Sequence, residues 1–397
     1  STRRNNSVKR YARYVALFAV LAMLVVACGG SSSGDTTTTA AAETTTTAAM
    51  EETTTTAAME ETTTTEAMAD FTPVKVCFVT DDAGVDDRSF NASGWAGVND
   101  AVDSGAAQPD PILLESASAE DYQPHVETCL AQGAEHIVTS GFKLADTTAQ
   151  FAAENPDVQF TIIDQSSSGP NVTGLEYQTD EGAFAAGYLA AGMTQTGVVG
   201  TYGGVNIPTV SIFMDGFARG VAHYNDVKGT SVRVLGWDPD NPDAGVMTGT
   251  FDPADPIVTA TCESMLDEGA DIMLPVGGAI NLPCGTAIQS RGIDGALIGV
   301  DSDAVEAMPA EFADLWLTTV LKGIRIQVQR SIEAHASGSP SGGTSLVGNL
   351  ENGAIGLAPY HSWEDRVSPE LADEVQQVLE DVKNGVITWD KFVVGGG

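Results

Sequence analysis

Short apolar runs alternate with longer, partly polar stretches along most of the chain after residue 70. The runs are apolar at consecutive positions, as in "VKVCFVT" at 74–80, which is typical of strands buried on both faces. The stretches between them place apolar residues three and four positions apart, as in "NASGWAGVNDAV", which is typical of helices packed on one side. This alternation predicts βαβ units, and therefore parallel sheets covered by helices on both faces. The remaining predicted strands are "HIVTSG" (136–141), "QFTIID" (159–164), "GVVGTYGG" (197–204), "SVRVLGW" (231–237), "DIMLPVGG" (271–278), "ALIGVDSD" (296–303) and "LWLTTV" (315–320).

The strand and helix units fall into two similar series, one before about residue 177 and one from about 179 to 303, and the run at 315–320 begins a further unit. A folded part of this length fits two compact bodies better than a single core. We therefore predict an α/β protein with two Rossmann-like lobes, parallel sheets and a hinge, with ligands bound in the crevice at the carboxyl ends of the strands. The expected boundaries are 70–177 plus about 314–345 for lobe 1, and 178–313 plus part of 346–397 for lobe 2.

The first 27 residues have the composition of a secretory signal. They carry five basic residues and no acidic one, and end in an apolar stretch, "YVALFAVLAMLVVA" (14–27), that is too short to favour a membrane span. The sequence "LVVACGG" resembles the bacterial lipoprotein box, in which the cysteine, here Cys28, is lipidated and becomes the mature N-terminus. An ordinary signal peptide with a chance cysteine is the alternative. Lipidation would anchor the protein at the extracytoplasmic face of the cell membrane.

Residues 28–69 form a low-complexity array in which four-threonine blocks recur with alanine, methionine and glutamate. Because this array has no large aliphatic or aromatic side chain that could build a core, it is predicted to be a disordered tether. A weak helix and a glycosylated stalk are the alternatives.

Acidic residues dominate the charge of the chain. The formal net charge is −36, from 54 acidic and 18 basic residues, and loss of residues 1–27 makes it more negative. Nucleic acid and anionic lipid surfaces are therefore poor partners. The acidic residues are spread along the chain, which indicates general solubility and does not identify a ligand.

Four cysteines remain besides Cys28. An even number in an exported protein permits disulfides, and pairing within each half, Cys77 with Cys129 and Cys262 with Cys284, requires the least rearrangement. Four buried thiols are the alternative. No Cys-x-x-Cys pair occurs and the five histidines are scattered, so no metal site or other cofactor is predicted.

Polar and flexible residues follow the predicted strands, at the edge where a ligand would lie. Aspartate at a strand end is also an ordinary turn residue and helix cap, so this pattern alone leaves both interpretations open. The residues in such positions are Asp81, Asp164, Gly278 and Asp301.

The stretch "DDAGVDDRSFNASGW" (81–95) follows the first strand and combines acidic and aromatic residues. Asp87 or Ser89 is a suitable N-cap for the helix that follows, which places Phe90 and Asn91 in its first turn, facing the crevice. An aromatic ring beside amide and carboxylate groups fits a planar, polar ligand. Phe90 as a core residue is the alternative.

"GVDDRSFNASGWAGV" resembles the signature of the basic membrane protein family, the purine-nucleoside-binding lipoproteins of bacterial ABC importers. Similar motifs follow in the family's order and cover nearly all of 73 to about 330. They are "TDEGAFAAGYLAAGM", "GVVGTYGGVNIPTVSIFMDGFARGV", "GADIM", "IGVDSD" and "LTTVLKGI". The resemblance implies the type I periplasmic-binding-protein fold, binding without catalysis, no cofactor, and an ABC permease and ATPase as partners.

In that family two phenylalanines, one from each lobe, sandwich the purine base, while acidic and amide groups hold the base edge and the ribose hydroxyls. The resemblance assigns Phe90 to the first lobe's aromatic position, with Asp81 and Asn91 beside it. The second aromatic most resembles Phe251, and Trp237 is its rival. The other matched positions are Asp164, Gly278, Asp301 and Lys322.

Two segments beside the expected site differ from the family pattern. They are the turn "VGGAINLPCG" and the long acidic loop "DPDNPDAGVMTGTFDPADP". We predict a monomeric, lipid-anchored binding protein that captures a small ligand, a purine nucleoside, for an ABC importer. Another planar or sugar-like solute is the alternative ligand, and a receptor that signals to a sensor partner is the alternative function.

Overall fold

The computed structural model describes residues 70–390, so the predicted signal, Cys28 and tether lie outside the described residues. The strands are β1 (Val76–Val79), β2 (Ile112–Leu114), β3 (His136–Ser140), β4 (Gln159–Ile163), β5 (Val172–Tyr177), β6 (Val198–Gly203), β7 (Arg233–Leu235), β8 (Ile272–Val276), β9 (Ala296–Asp301), β10 (Trp316–Lys322), β11 (Ser345–Gly348) and β12 (Ile355–Leu357). The helices are α1 (Phe90–Asp103), α2 (Tyr122–Ala131), α3 (Ala145–Glu154), α4 (Thr179–Met193), α5 (Pro208–Lys228), α6 (Pro256–Asp267), α7 (Asn281–Arg291), α8 (Ala304–Ala307), α9 (Ile324–Ala336) and α10 (Pro369–Lys383).

The strands form two sheets of six, each covered by helices on both faces. The order in lobe 1 is β11-β5-β4-β3-β1-β2, and the order in lobe 2 is β12-β10-β9-β8-β6-β7. All neighbours are parallel except β12, which runs antiparallel to β10. Strands β1, β3, β8 and β9 are buried at every position, as their unbroken apolar runs predict. The two-lobed α/β fold expected from the sequence is confirmed.

The chain passes between the lobes three times. It passes at Gln178 between β5 and α4, at Gly323 between β10 and α9, and at 349–354 between β11 and β12. Backbone hydrogen bonds join these crossings, because the Gln178 amide donates to Gly348 (2.8 Å) and the Gly323 amide donates to Ala354 (2.6 Å). The three segments therefore form one hydrogen-bonded hinge.

The expected placement of 314–345 in lobe 1 is wrong for its strand. β10 pairs with β9 and with β12, so it belongs to the sheet of lobe 2, and the return to lobe 1 runs from α9 to the end of β11 at residue 348. An apolar run buried on both faces looks the same in either sheet, and only its pairing partners distinguish the two. The correction places Lys322 at a strand end of lobe 2.

Helices α4 and α5 pack closely through glycines. A Cβ atom on Gly187 would lie 2.0 Å from the Phe217 carbonyl oxygen, and one on Gly220 would lie 1.9 Å from the Phe184 carbonyl oxygen. Only glycine permits backbones to approach this closely. The close packing fixes α5, whose first turns reach the space between the lobes.

Two disulfides cross-link the folded body, one in each lobe. Cys77 of β1 is bonded to Cys129 of α2, and Cys262 of α6 is bonded to Cys284 of α7. These are the pairings within each half that the sequence favours. Each bond ties elements of a single lobe, so neither spans the hinge.

A histidine pair, of which His136 is buried and His335 is half-buried, lies between β3 and α9. The Nδ1 atoms of His136 and His335 are 3.3 Å apart, and His136 Nε2 shares a hydrogen bond of 2.8 Å with the Thr161 hydroxyl. Burial lowers the pKa of His136 from 6.5 to about 3 and also lowers the pKa of His335. If either ring took up a second proton, both Nδ1 atoms would carry hydrogens that point at each other. The fold therefore favours both rings in the neutral form.

Acid is therefore expected to destabilise lobe 1 through this pair. Both folded pKa values lie below the unfolded value, so the stabilisation is complete above pH 6.5 and is lost as the pH falls toward 3. Between pH 6.5 and 5, the free energy of unfolding should fall by up to about 1.4 kcal/mol per pH unit through His136, and His335 should add to this fall. Urea titrations of the wild type and of His136→Gln measure this slope, which the variant should reduce. His125→Gln, on α2, is the control, and equal slopes in the wild type and His136→Gln would contradict the assignment.

Candidate functional site

A cavity of about 590 Å³ lies between the lobes at the carboxyl ends of their strands. All eight site residues predicted from the sequence line this cavity. Four belong to lobe 1, where they follow β1 or β4 or begin α1, and four belong to lobe 2. They are Asp81, Phe90, Asn91, Asp164, Phe251, Gly278, Asp301 and Lys322. Trp237 lies elsewhere, because it is buried and its Nε1 donates to Asp215 (3.2 Å).

Asn91 organises the acidic start of α1. Its side-chain nitrogen donates to Asp81 Oδ1 (2.8 Å) and to Asp87 Oδ2 (3.1 Å), and its buried Oδ1 has no hydrogen-bond partner among the described residues. Asp87 caps the helix, because its carboxylate accepts from the backbone amides of Asn91 (2.7 Å) and Ala92 (3.0 Å). Burial raises the pKa of Asp81, and it raises the pKa of Asp87 to about 6 against the opposing effect of these amides.

A buried ion pair joins the lobes behind Phe90. Lys322 Nζ lies 2.7 Å from Asp164 Oδ2, and the two side chains are 3% and 8% exposed. The ammonium is also 5.0 Å from the ring centroids of Phe90 and Tyr177 and 6.0 Å from that of Phe213, at cation–π distances. Asp164 Oδ1 is buried without a partner among the described residues. Burial raises the pKa of Asp164, and Lys322 opposes that rise.

Asp164 and Asp301 occupy matching positions in the two lobes. Each lies at the carboxyl end of a central strand, each is 8% exposed, and their φ angles are 62° and 69°. Residues other than glycine rarely adopt this left-handed conformation, and such strain is concentrated at binding and active sites. Asp301 Oδ2 accepts a hydrogen bond of 2.7 Å from Ser89 of lobe 1.

Two glycines seat the ring of Phe251. A Cβ on Gly204 would lie 2.3 Å from Phe251 Cδ1, and one on Gly277 would lie 2.7 Å from the same atom. The ring therefore rests directly on backbone, and Lys143 Nζ lies 6.0 Å from its centroid. Gly278, with φ of 61°, allows a similar approach to lobe 1, since a Cβ there would be 3.4 Å from Ser89 Cβ.

Lys143 and Phe213 are among the side chains of the cavity that sequence reasoning missed. Lys143 follows β3 closely, so the search for polar residues after strands could have found it, although it lies three residues beyond the strand. Phe213 lies inside α5, where an aromatic residue at helical spacing looks like any core position. No local pattern distinguishes it.

The cavity is acidic. Seven aspartates and two lysines line it, and both lysines are in ion pairs, Lys143 with Asp82 and Lys322 with Asp164. The other lining aspartates have no ion pair among the described residues. They are Asp81, Asp86, Asp87, Asp252 and Asp301. An anionic ligand would meet this uncompensated negative charge in a partly enclosed space.

Two covered sheets, a hinge of three crossings and a polar, aromatic cavity between the lobes define a two-lobed binding protein for a small solute. Among residues 70–390, no helix combines the length and apolar character needed to cross a bilayer.

Comparison with known proteins identifies the family. Residues 74–389 match the Bmp family, described as ABC transporter substrate-binding protein PnrA-like, and the chain belongs to this family. It is 28% identical over 332 residues to the CD4+ T-cell-stimulating antigen of Listeria monocytogenes, which covers 80% of this chain and 87% of that protein. It is 26% identical over 334 residues to the ABC transporter nucleoside-binding protein BmpA of Lactococcus lactis, which covers 80% of this chain and 89% of that protein.

A solved structure supports the fold. The chain is similar to a solute-binding protein of an ABC transporter system from Aeropyrum pernix K1, with a TM-score of 0.68 and 21% identity over 82% of this chain and 94% of that one. The family match makes the chain a substrate-binding protein of an ABC transporter and not an enzyme.

Proposed function

We propose that the protein captures a neutral purine nucleoside between its lobes and delivers it to an ABC permease driven by an ATPase. The observation that carries this proposal is the pairing of one aromatic ring from each lobe, Phe90 and Phe251, with buried acceptor oxygens in the same cavity. Stacked rings supply contact area to a planar base, and hydrogen bonds fix its orientation. The nucleoside-binding protein of Lactococcus lactis, to which the chain is similar, supports the same class of ligand.

The unpartnered atoms indicate what the ligand must offer. Asn91 Oδ1 and Asp164 Oδ1 are both acceptors, so the ligand supplies N–H or O–H donors to them. Asp301 has one oxygen held by Ser89, which leaves the other to accept from a ribose hydroxyl. A carboxylate buried for this purpose rejects analogues that lack the donor, because it would lose its partner.

The charge of the cavity argues for a nucleoside rather than a nucleotide. A phosphate would need a free cation or several free backbone amides, and both lining lysines already neutralise aspartates. The unpaired carboxylates would repel it.

Attachment and assembly complete the proposal. Lipidation of Cys28 would hold the protein at the extracytoplasmic face of the membrane, and residues 28–69 would tether the folded body to that anchor. The protein would act there as a monomer, because a closed two-lobed cleft needs no second copy to complete its site.

A thermal-shift panel on the purified protein tests the ligand class. Purine nucleosides should raise the midpoint by several degrees, because a ligand at a hundred times its dissociation constant adds about 2.7 kcal/mol of stability. The comparison ligands are the matching nucleoside 5′-monophosphates, free bases, pentoses and amino acids. The monophosphates should bind at least about tenfold more weakly than the nucleosides, which corresponds to a loss of about 1.4 kcal/mol of binding free energy. A shift with pentoses or amino acids and none with any nucleoside would refute the nucleoside assignment. Equal shifts with nucleosides and monophosphates would refute the role of the acidic lining.

A further inference from the structure

Two hydrogen bonds between side chains connect the start of α1 in lobe 1 with the end of β9 in lobe 2. Ser89 donates to Asp301 Oδ2 at 2.7 Å, and the hydroxyls of Ser93 and Ser302 share a hydrogen bond of 2.7 Å. Ser89 and Ser93 are four residues apart, so they lie on one side of the helix, and their partners are consecutive in the chain. We call these four residues the closure contact.

The closure contact is made by protein atoms alone. Ser93 and Ser302 do not line the ligand cavity. They line a neighbouring groove of about 580 Å³, which shares Asp301 and Lys322 with the cavity and also borders Gly323 of the hinge. Ser89 is fully buried and lines neither space. The contact is therefore broken when the lobes separate, and no ligand atom is needed to form it.

We propose that the closure contact sets how long the protein stays closed on its ligand, and that Ser89 also positions Asp301 for binding. This inference rests on the proposed function for the choice of ligand, but the contact itself involves only the protein. A ligand enters the open cleft and is enclosed when the lobes close, so its rate of release depends on the fraction of the liganded protein that is closed. Removing a bond that exists only in the closed form lowers that fraction and speeds release.

The second part of the proposal concerns Asp301. Its backbone is held in the left-handed region, and among the described residues its side-chain hydrogen-bond partner is the hydroxyl of Ser89, which belongs to the other lobe. The Asp301 carboxylate is therefore oriented only when the lobes close and bring Ser89 beside it. Closure and the formation of the binding surface become one event, so a solute bound to a single lobe is held weakly.

Ser302→Ala is the cleanest variant for a test. It removes the hydrogen bond between the lobes, while the Ser93 hydroxyl keeps a partner in its own lobe, the Ser89 carbonyl oxygen. Ser302 is half-buried and Asp301 keeps its bond to Ser89, so the fold and the cavity are retained. Ser290→Ala, which removes an exposed serine hydroxyl of α7 in the same lobe, is the matched control.

The first measurement is stopped-flow binding of inosine and guanosine to the full chain. One net hydrogen bond changes an equilibrium by roughly two- to tenfold, so Ser302→Ala should raise the dissociation rate by about that factor. The association rate and the ratio of the two affinities should stay unchanged, because the lost bond touches neither ligand. Ser290→Ala should match the wild type. An unchanged dissociation rate in Ser302→Ala, or a change in the ratio of affinities, overturns the proposal.

The second measurement needs no ligand. Spin labels attached through unnatural amino acids at Gln150 of α3 and Glu268, just after α6, both exposed, report the distance between the lobes. In the unliganded protein, Ser302→Ala should reduce the population at the short, closed distance relative to Ser290→Ala. If the wild type binds no nucleoside but this population falls, the ligand assignment fails and the closure contact stands. If nucleosides bind and the population does not change, the closure contact fails alone.

Discussion

Replacing Phe90 with alanine is expected to weaken nucleoside binding by roughly 10- to 100-fold while the protein remains folded. Stacking of a base on an aromatic ring contributes about 1–3 kcal/mol by alanine substitution, and this ring also holds the ammonium of Lys322 in place. Isothermal titration with inosine measures the affinity, and thermal denaturation checks the fold. Phe251→Ala should cause a loss of similar size, because Phe251 lines the same cavity from lobe 2 and is the proposed second stacking ring.

Phe71 provides the matched control for this test. Its ring is also partly buried against the core of lobe 1, but it does not line the cavity, so Phe71→Ala should leave the affinity unchanged. If Phe90→Ala binds inosine as tightly as the wild type, Phe90 is a core residue and the stacking assignment is wrong. An effect of Phe90→Ala alone, with none from Phe251→Ala, would leave Phe213 as the aromatic contact from lobe 2.

Lys322→Met is expected to reduce the free energy of unfolding by about 3–5 kcal/mol and to remove binding, since it leaves the Asp164 carboxylate buried without its cation. Burial already raises the pKa of Asp164, so the variant should become relatively more stable as the pH falls and that carboxyl group takes up a proton. Urea unfolding at pH 7 and pH 5 measures both effects.

The double variant Lys322→Met with Asp164→Asn separates stability from binding. Removing both charges should restore most of the stability, because a neutral amide is much less costly to bury, but it should not restore the binding of inosine. Lys143→Met is the control, since its pair with Asp82 is 28% and 41% exposed and should contribute less than about 1 kcal/mol. Recovery of affinity in the double variant would show that the pair serves the fold alone.

Much of the fold is predictable from burial on two faces. Eight of the strands correspond to apolar runs that are evident in the sequence, and their alternation with helical patterns gives the two lobes. β5 escapes this reasoning because Gly174 and Glu176 interrupt it, and β2 and β12 are too short, at three residues each, to show a pattern. β10 was placed in the wrong lobe because pairing between distant strands leaves no local trace.

Some residues of the candidate site are likewise predictable from the sequence and others are not. Residues at strand ends, such as Asp164 and Asp301, are predictable because topology gathers the carboxyl ends of parallel strands at one edge. The role of Ser89 is different: the sequence suggested either it or Asp87 as the helix cap, and the structure gives the capping bonds to Asp87 and turns the Ser89 hydroxyl to the other lobe. A contact between residues about 210 positions apart cannot be read from local sequence.

The hinge has a mechanical consequence. Two of its crossings are single residues: Gln178 is hydrogen-bonded to Gly348, just before the third crossing, and Gly323 to Ala354, at its end. Three short backbone segments that are hydrogen-bonded side by side restrict sliding and twisting of the lobes against each other. They restrict rotation of one lobe about the hinge axis far less. Opening is then described by one angle, and any distance between the lobes, wherever it is measured, reports that same angle.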